Sequence, residues 1–311
     1  NISTSYFSPN GDGVKDSMQF IPSVPIQSGV ISWDLVVRRK DGMEVRRYSG
    51  ENSLPDTVKY DGRNNSGNIV PEGEYQAELL VRYQNGNIPE ESSPTFHVDL
   101  TPPRASVSME YQVFSPNGDG KKDLMVFFQE STSEDFWTGK VTDEEGNTVR
   151  NYTWLKQVDR RVTWDGHNNG GKLLPDGMYS YRISAEDRAG NTGESESVYF
   201  RLDTEETPLL LSAEHQFFSP NGDGIKDTVK LFPIVEETTG IRTYTLSILN
   251  SQENSIRTFQ GRGNVPEFIT WEGFNSEGEK VEDGEYSAKM TVLYEKGNEP
   301  EAKTRPFTLD T

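Results

Sequence analysis

One nine-residue string occurs three times in this 311-residue chain, and it constrains the fold more than any other feature. The string S-P-N-G-D-G-x-K-D begins at Ser8, Ser115 and Ser219, so its copies lie 107 and then 104 residues apart. A spacing of about 100 residues is typical of small independent domains. The sequence therefore predicts three tandem domains, with boundaries 1–103, 104–208 and 209–311.

Other motifs recur at matching positions in each copy. An aromatic residue, an acid and a glycine stand near the middle, at Tyr60–Gly62, Trp164–Gly166 and Trp271–Gly273. A Phe-x-x-Asp segment closes the copies at Phe96–Asp99, Phe200–Asp203 and Phe307–Asp310. Thr-Pro follows the first two of these segments, which places natural domain boundaries there.

Apolar and polar residues alternate with a period of two, as in Ile31, Trp33, Leu35 and Val37. This period predicts half-buried strands, and no segment carries a convincing helical pattern. In copy two the predicted strands are roughly 105–113, 122–129, 136–143, 147–154, 160–164, 178–187 and 196–203. The predicted fold is all-β, with three tandem Ig-like (fibronectin-III-like) antiparallel β-sandwiches of about seven strands each.

The acidic surplus is spread evenly along the chain. Its net charge is −19, and the three copies carry −5, −7 and −7. Such a surface repels phosphate backbones and anionic lipid, so we expect divalent cations as partners and no nucleic acid. No apolar run is long enough for direct membrane insertion. The absence of cysteine excludes disulfides and fits either an intracellular chain or a bacterial surface protein stabilised by metal. Because Asn1 begins in the middle of a pattern, we expect an excised soluble fragment.

The repeated string matches part of an EF-hand calcium loop. With Gly13 at the sharp turn, oxygen donors fall at the expected spacing, but the closing bidentate glutamate is missing. The predicted metal ligands, with a backbone carbonyl from the fourth residue of each set, are Ser8, Asn10, Asp12, Val14 and Asp16, then Ser115, Asn117, Asp119, Lys121 and Asp123, then Ser219, Asn221, Asp223, Ile225 and Asp227. Two carboxylates per loop cannot complete a calcium shell of about six to eight oxygens, so another loop or water must contribute. The candidate further ligands are Asp61, Asp99, Asp165, Asp203, Glu272 and Asp310. The expectation is about one calcium ion per repeat.

A tight turn is the alternative interpretation of this string. Asn-Gly and Asp-Gly both favour positive φ, and neither needs a metal. The downstream Lys-Asp is more than a turn requires, which favours calcium. For the acids after Tyr60, Trp164 and Trp271 the balance is reversed, and Asx turns at the neighbouring Asn64, Asn168 and Asn275 are the simpler prediction.

If successive strands run antiparallel, the loops sort to the two ends of each domain. The S-P-N-G-D-G loop and the exit at Asp99 would then face the next domain. That domain would contribute Glu134, Asp135 and Asp187 to the same junction. The sequence thus predicts that acidic loops gather between repeats.

Together these motifs resemble one known family. Copies of the form F-S-P-N-G-D-G, then W-D-G-x-N, then D-G-x-Y, then F-x-x-D-T, are similar to the Ig-like domain of flagellar hook-capping proteins of the FlgD type. The opening string also resembles C-terminal domains of gliding-motility and surface proteins. Tyr60 and Glu272 depart from the pattern, as does the turn at 252–254. The resemblance implies a bacterial protein that is extracellular, on the cell surface or in the periplasm.

Catalysis is not expected. The three histidines, His97, His167 and His215, stand at three different repeat positions, so the repeats share no triad or zinc site. Most aromatic residues recur in register, which indicates core packing. Trp154 has no counterpart, and it is either a surface contact or a local packing residue.

The sequence therefore predicts a non-catalytic, calcium-binding, extended structural stalk or scaffold. An adhesive protein is one kind of protein to which such a stalk could belong. Besides divalent cations, its expected partners are other proteins or surface glycans. The alternative is a glycan- or protein-binding module attached to a larger enzyme or to a flagellar assembly factor.

Overall fold

A computed structural model describes residues 1–311 and contains 26 β-strands and no helix, as the sequence predicts. Residues 1–103 hold β1 (Tyr6–Phe7), β2 (Met18–Phe20), β3 (Val30–Arg39), β4 (Glu44–Glu51), β5 (Val58–Tyr60), β6 (Gly73–Tyr83), β7 (Glu90–Ser92) and β8 (Phe96–Val98). Residues 104–208 hold β9 (Ala105–Met109), β10 (Val113–Phe114), β11 (Met125–Ser131), β12 (Glu134–Thr142), β13 (Thr148–Lys156), β14 (Arg161–Trp164), β15 (Gly177–Glu186), β16 (Thr192–Glu194) and β17 (Val198–Leu202). Residues 209–311 hold β18 (Leu209–Ala213), β19 (Phe217–Phe218), β20 (Val229–Val235), β21 (Ile241–Asn250), β22 (Ser255–Arg262), β23 (Ile269–Trp271), β24 (Gly284–Tyr294), β25 (Glu301–Lys303) and β26 (Phe307–Leu309).

We call these three units repeat 1, repeat 2 and repeat 3, and each consists of two sheets. In repeat 2 the larger sheet has the order β10-β17-β15-β12-β13, with β16 also on β15, and the smaller has the order β14-β11-β9. The corresponding strands of repeat 3 follow the same arrangement. In repeat 1 the smaller sheet is β2-β5, and an isolated bridge between Ile2 and Phe20 extends it.

The first strand predicted for repeat 2 differs from the expectation. In repeat 2, residues 105–113 do not form one strand: β9 pairs with β11 in the smaller sheet, whereas β10 crosses to the larger sheet. There β10 runs parallel to the last strand β17. The prediction of a wholly antiparallel sandwich is therefore wrong for this one pair of strands. Repeats 1 and 3 have the same parallel pair, β1 with β8 and β19 with β26.

Each repeat has its own hydrophobic core between its two sheets. In repeat 2, Phe127 of β11 stacks on Tyr181 of β15 with ring centroids 4.2 Å apart, which joins the two sheets. Most of the aromatic residues that recur in the sequence are buried, among them Trp137, Trp164 and Phe200. The three cores together span Phe7–Val98, Phe114–Leu202 and Leu209–Leu309, and none extends across a junction. No helix long and apolar enough to cross a bilayer is present.

Candidate functional site

The nine-residue loop is held together by its own side chains. In repeat 1 the two carboxylate oxygens of Asp16 accept the backbone N–H groups of Gly11 at 2.6 Å and Gly13 at 2.8 Å. One oxygen of Asp12 accepts the N–H of Val14 at 2.7 Å, and the Asn10 side chain accepts the N–H of Asp12 at 3.0 Å. The loops of repeats 2 and 3 repeat all four bonds.

This geometry accounts for the whole string, including the part that a simple turn does not explain. Gly11 and Gly13 have φ of 86° and 91°, in the left-handed region that glycine tolerates best. Lys15 also has positive φ, at 48°, and its carbonyl accepts the Ser8 N–H at 3.0 Å and closes the loop. The downstream Asp16 is needed because it satisfies two backbone N–H groups in the loop.

The loop of repeat 1 contacts a tight turn of repeat 2. The Ser8 hydroxyl donates to Oδ1 of Asn191 at 2.6 Å, and the Asn10 amide donates to the same oxygen at 3.2 Å. The Asn191 amide in turn donates to the Asp99 carbonyl at 3.0 Å. Lys15 Nζ donates to the Arg188 carbonyl at 2.8 Å. Asn191 is thus bonded both to the loop and to the last strand's exit, and only 3% of its surface is exposed.

Repeats 2 and 3 meet through the same two elements. The Asn117 amide donates to Oδ1 of Asn298 at 3.2 Å, and Lys121 forms an ion pair with Glu299. Gly297 lies so close to the loop that an added Cβ would stand 2.8 Å from the Lys121 carbonyl oxygen. The predicted position of the acidic loop and the chain exit at the junction is therefore confirmed for both pairs of neighbours.

Sequence reasoning placed Asp187 at the first junction but did not identify the turn that begins there as the partner of the loop. Three copies of this turn occur, at Tyr83–Asn87, Asp187–Asn191 and Tyr294–Asn298. In each copy the N–H of the first residue donates to the carbonyl of the last, and the glycine N–H donates to the carbonyl of the first. All three end in Gly-Asn, at the same position of each repeat. The recurrence of this dipeptide could have indicated the contact, but Gly-Asn alone is also typical of an ordinary hairpin turn. We call these segments the acceptor turns.

The two junctions differ in their charge balance. At the second, Lys296 Nζ donates to Asp203 at 2.7 Å and to the Glu205 carbonyl at 2.6 Å. At the first junction the corresponding residues are Ala189 and Asp99, so no lysine reaches the carboxylate. Burial, and then the nearby charges of Asp187 and Glu72, raise the pKa of Asp99 above its usual value, against the bond from the Thr101 N–H.

A stack of side chains flanks the first junction. Tyr6 lies against His97 with ring centroids 4.4 Å apart, and the Arg188 guanidinium lies 5.5 Å from the Tyr6 ring. Arg188 also donates to Asp135 at 2.7 Å, and hydrogen bonds from Arg188 and then Lys156 hold the pKa of Asp135 well below its usual range. Asp135 was expected near this junction, and Arg188 neutralises it there.

The further candidate ligands are mostly engaged elsewhere. The carboxylates of Asp61, Asp165, Asp99 and Asp203 each accept the N–H two residues on, at 3.1 to 3.2 Å. The predicted Asx turns are confirmed at Asn64, Asn168 and Asn275, each accepting two N–H groups. No group of three or more acidic or histidine side chains comes together in a way that could hold a metal ion. Calcium binding stays a prediction.

Trp154 packs within its own repeat. Its ring stacks on Tyr152 with centroids 5.8 Å apart, and its Nε1 donates to Asp159 at 3.2 Å. It also lies over Gly139, where an added Cβ would stand 2.7 Å from the indole. These contacts agree with the local packing interpretation, and the surface-contact role stays a prediction.

Among known protein families, one matches a segment of this chain, and that segment lies in repeat 2. Residues 112–189 match the FlgD Ig-like domain model. Repeat 2 is therefore similar to an Ig-like domain of the FlgD type. Repeats 1 and 3 resemble this domain, because they carry the same motifs and a larger sheet of the same strand order.

More distant similarities are local or weak. C5a peptidases of Streptococcus pyogenes, including those of serotypes M18 and M1, are 29% identical over 96 residues, or 24% of this chain. That stretch is 8% of each peptidase, so the chain spans only a small part of these relatives. Two solved structures cover 94% of the chain: a tetra-tandem repeat in the extending region of a large adhesion protein (17% identity, 70% of that chain, TM-score 0.34) and a 1.5-MDa bacterial ice-binding adhesin (13%, 90%, 0.36). At these scores neither supports a functional conclusion.

Proposed function

We propose that this chain is a non-catalytic structural segment of a bacterial surface or periplasmic protein. In this proposal it acts as a spacer whose repeats hold a fixed orientation to one another. The observation that carries the proposal is the contact that the nine-residue loops of repeats 1 and 2 make with the acceptor turn of the following repeat, which buries Asn191 and Asn298. A chain with free linkers would have no use for a docking contact that recurs at both junctions.

Two features of the chain favour docking between neighbouring repeats: the preformed loop and the short linker. Each loop is fixed internally by carboxylates before it meets the next repeat, so it presents a preformed surface and loses little entropy on docking. The linker residues between Asp99 and Arg104 tether the partners, which raises their effective concentration and lets a small contact persist.

Small-angle scattering tests the proposal on the full chain. Asp119→Ala with Asp123→Ala removes the acceptors of three backbone N–H bonds in the second loop, which come from Gly118, Gly120 and Lys121. We expect a broader distribution of distances, from bending at residues 203–208, while the wild-type chain scatters as one shape. The matched control is Asp223→Ala with Asp227→Ala, which alters a loop that contacts no following repeat. A wild-type chain that scatters as three independent bodies would overturn the proposal.

Calcium binding by the loops is a separate proposal, and the sequence pattern supports it. A bound ion would have to compete with the N–H groups that now occupy the carboxylate oxygens of Asp12 and Asp16. With calcium at 100 times its dissociation constant, each binding repeat would be stabilised by about 2.7 kcal/mol. Thermal melts with calcium and with EDTA measure this, and identical melts with no bound ion would exclude it.

A further inference from the structure

One acceptor turn of the chain has no loop on it. The turn at Tyr83–Asn87 in repeat 1 has the same backbone bonds as its two counterparts, with Tyr83 N–H to the Asn87 carbonyl at 3.0 Å and Gly86 N–H to the Tyr83 carbonyl at 3.0 Å. Gly86 has φ of 85°, compared with 92° and 105° at Gly190 and Gly297. Asn87 is exposed, whereas Asn191 and Asn298 are buried under a loop.

One loop likewise has no turn. The loop that begins at Ser219 keeps every internal bond of the other two, yet Ser219 is half-buried while Ser8 and Ser115 are fully buried. Ile225 is 70% exposed, compared with 45% for Val14 at the docked first junction. The chain thus presents an unfilled acceptor at one end of the series and an undocked loop at the other.

The free turn has surroundings suited to a similar repeat. Ile26 and Ile88 lie beside it, 62% and 57% exposed, and the Tyr83 hydroxyl donates to the Ile26 carbonyl at 2.7 Å. The turn itself carries no charge, and Asn85 stands at the position of Lys296. An amide there can donate to the terminal aspartate of an incoming acidic repeat, as Lys296 does to Asp203.

We propose that the turn at Tyr83–Asn87 is a docking site for the nine-residue loop of a further repeat of this type joined ahead of repeat 1. This inference rests on the proposed spacer function and names the partner at that end. The repeat that docks presents Ser and Asn side chains to Asn87, as Ser8 and Asn10 do to Asn191. Tethering is part of the proposal, because a contact this small needs a high effective concentration.

Two full chains joined end to end test the site. At both junctions 16 residues separate the terminal aspartate from the next loop serine, Asp99 to Ser115 and Asp203 to Ser219. A second copy of Glu205–Leu211 inserted between Thr311 and Asn1 restores that spacing. Hydrogen exchange with mass spectrometry then follows the peptides that contain residues 83–87 and 219–227.

The proposal predicts two mass envelopes of equal size for each peptide. The docked copies should exchange at least about tenfold more slowly than the free ones, whereas the single chain gives one fast envelope. Asp227→Ala in the first half should return residues 83–87 to one fast envelope. The same substitution in the second half, where the loop faces no turn, should leave both envelopes unchanged.

One fast envelope for residues 83–87 in the joined chain would overturn this inference. So would two envelopes that Asp227→Ala in the first half fails to abolish. If the single chain scatters as one shape and the joined chain still shows fast exchange, the spacer function stands and only this site is wrong. If the single chain scatters as three independent bodies, the spacer function itself fails.

Discussion

The aromatic residue before the mid-repeat acid is hydrogen-bonded through its side chain in repeats 2 and 3 but not in repeat 1. The indole N–H of Trp164 donates to the His167 carbonyl at 2.8 Å, and that of Trp271 to the Phe274 carbonyl at 2.9 Å. Tyr60 occupies the same place in repeat 1, fully buried, and its hydroxyl has no hydrogen-bond partner. A buried hydroxyl without a partner costs about 1–3 kcal/mol.

Tyr60→Phe should therefore stabilise repeat 1. Removal of the unsatisfied hydroxyl is expected to raise the free energy of unfolding by about 1 kcal/mol, or about 4 °C in Tm. The matched control is Tyr75→Phe, because the Tyr75 hydroxyl donates to the Pro71 carbonyl at 2.6 Å and its loss should destabilise the same repeat. Scanning calorimetry measures both. Destabilisation by both substitutions would contradict this account.

At the scale of loops and turns, the two junctions should respond oppositely to loss of a carboxylate. Asp203→Asn leaves Lys296, whose side chain is 5% exposed, without its counterion, and should cost about 1.5–3 kcal/mol. Asp99→Asn removes a charge that has no cation beside it and keeps an oxygen for the Thr101 N–H, so it should strengthen the first junction. Hydrogen exchange at residues 187–191 and 294–298 distinguishes the two effects. If both substitutions weakened their junctions, the predicted opposite response would be wrong.

The raised pKa of Asp99 also gives the first junction a pH dependence. Because the folded chain holds the proton of Asp99 more tightly than the unfolded chain, protonation stabilises the fold. The gain should appear as the pH falls through the range above the ordinary aspartate pKa, near 4, and be lost as the pH rises again. The protection of residues 187–191, measured as the exchange rate relative to the intrinsic rate at each pH, should rise in that range for the wild type and stay flat in Asp99→Asn.

Sequence reasoning reached the repeats, the sheet class and the loop because each depends on local patterns. Alternation in Ile31 to Val37 is visible within one strand, and the string at Ser8 within one turn. The switch of the first strand between sheets was not predictable, because residues 110–112 carry no break that distinguishes a crossing from a continuous strand. Nor was the partner of the loop, since the contact from Ser8 to Asn191 spans 183 residues. Whether the loop carboxylates cap backbone N–H groups, bind metal or do both could not be distinguished from the sequence, because both uses demand oxygen at the same spacing.

For the molecule as a whole, the acceptor asparagines should control the relative orientation of the repeats. Asn191→Ala removes the bonds from Ser8 and Asn10 and the bond to Asp99, so the first two repeats should move independently. Asn87→Ala changes the same residue of an uncovered turn, and it should leave the scattering of the single chain unaltered. Equal scattering from both variants would mean that these contacts do not set the orientation.

The parallel pairing of β1, β10 and β19 with the last strand of their repeats gives each repeat a direction of mechanical strength. In repeat 1 the His97 N–H donates to the Ser5 carbonyl at 2.8 Å and the Asp99 N–H to the Phe7 carbonyl at 3.2 Å, and repeats 2 and 3 have the same two bonds. Tension applied to the two ends of a repeat pulls such strands past each other, so both bonds carry the load together instead of opening one after the other. A chain that hangs between two anchors is thereby loaded in shear at every repeat, where its resistance to force is greatest.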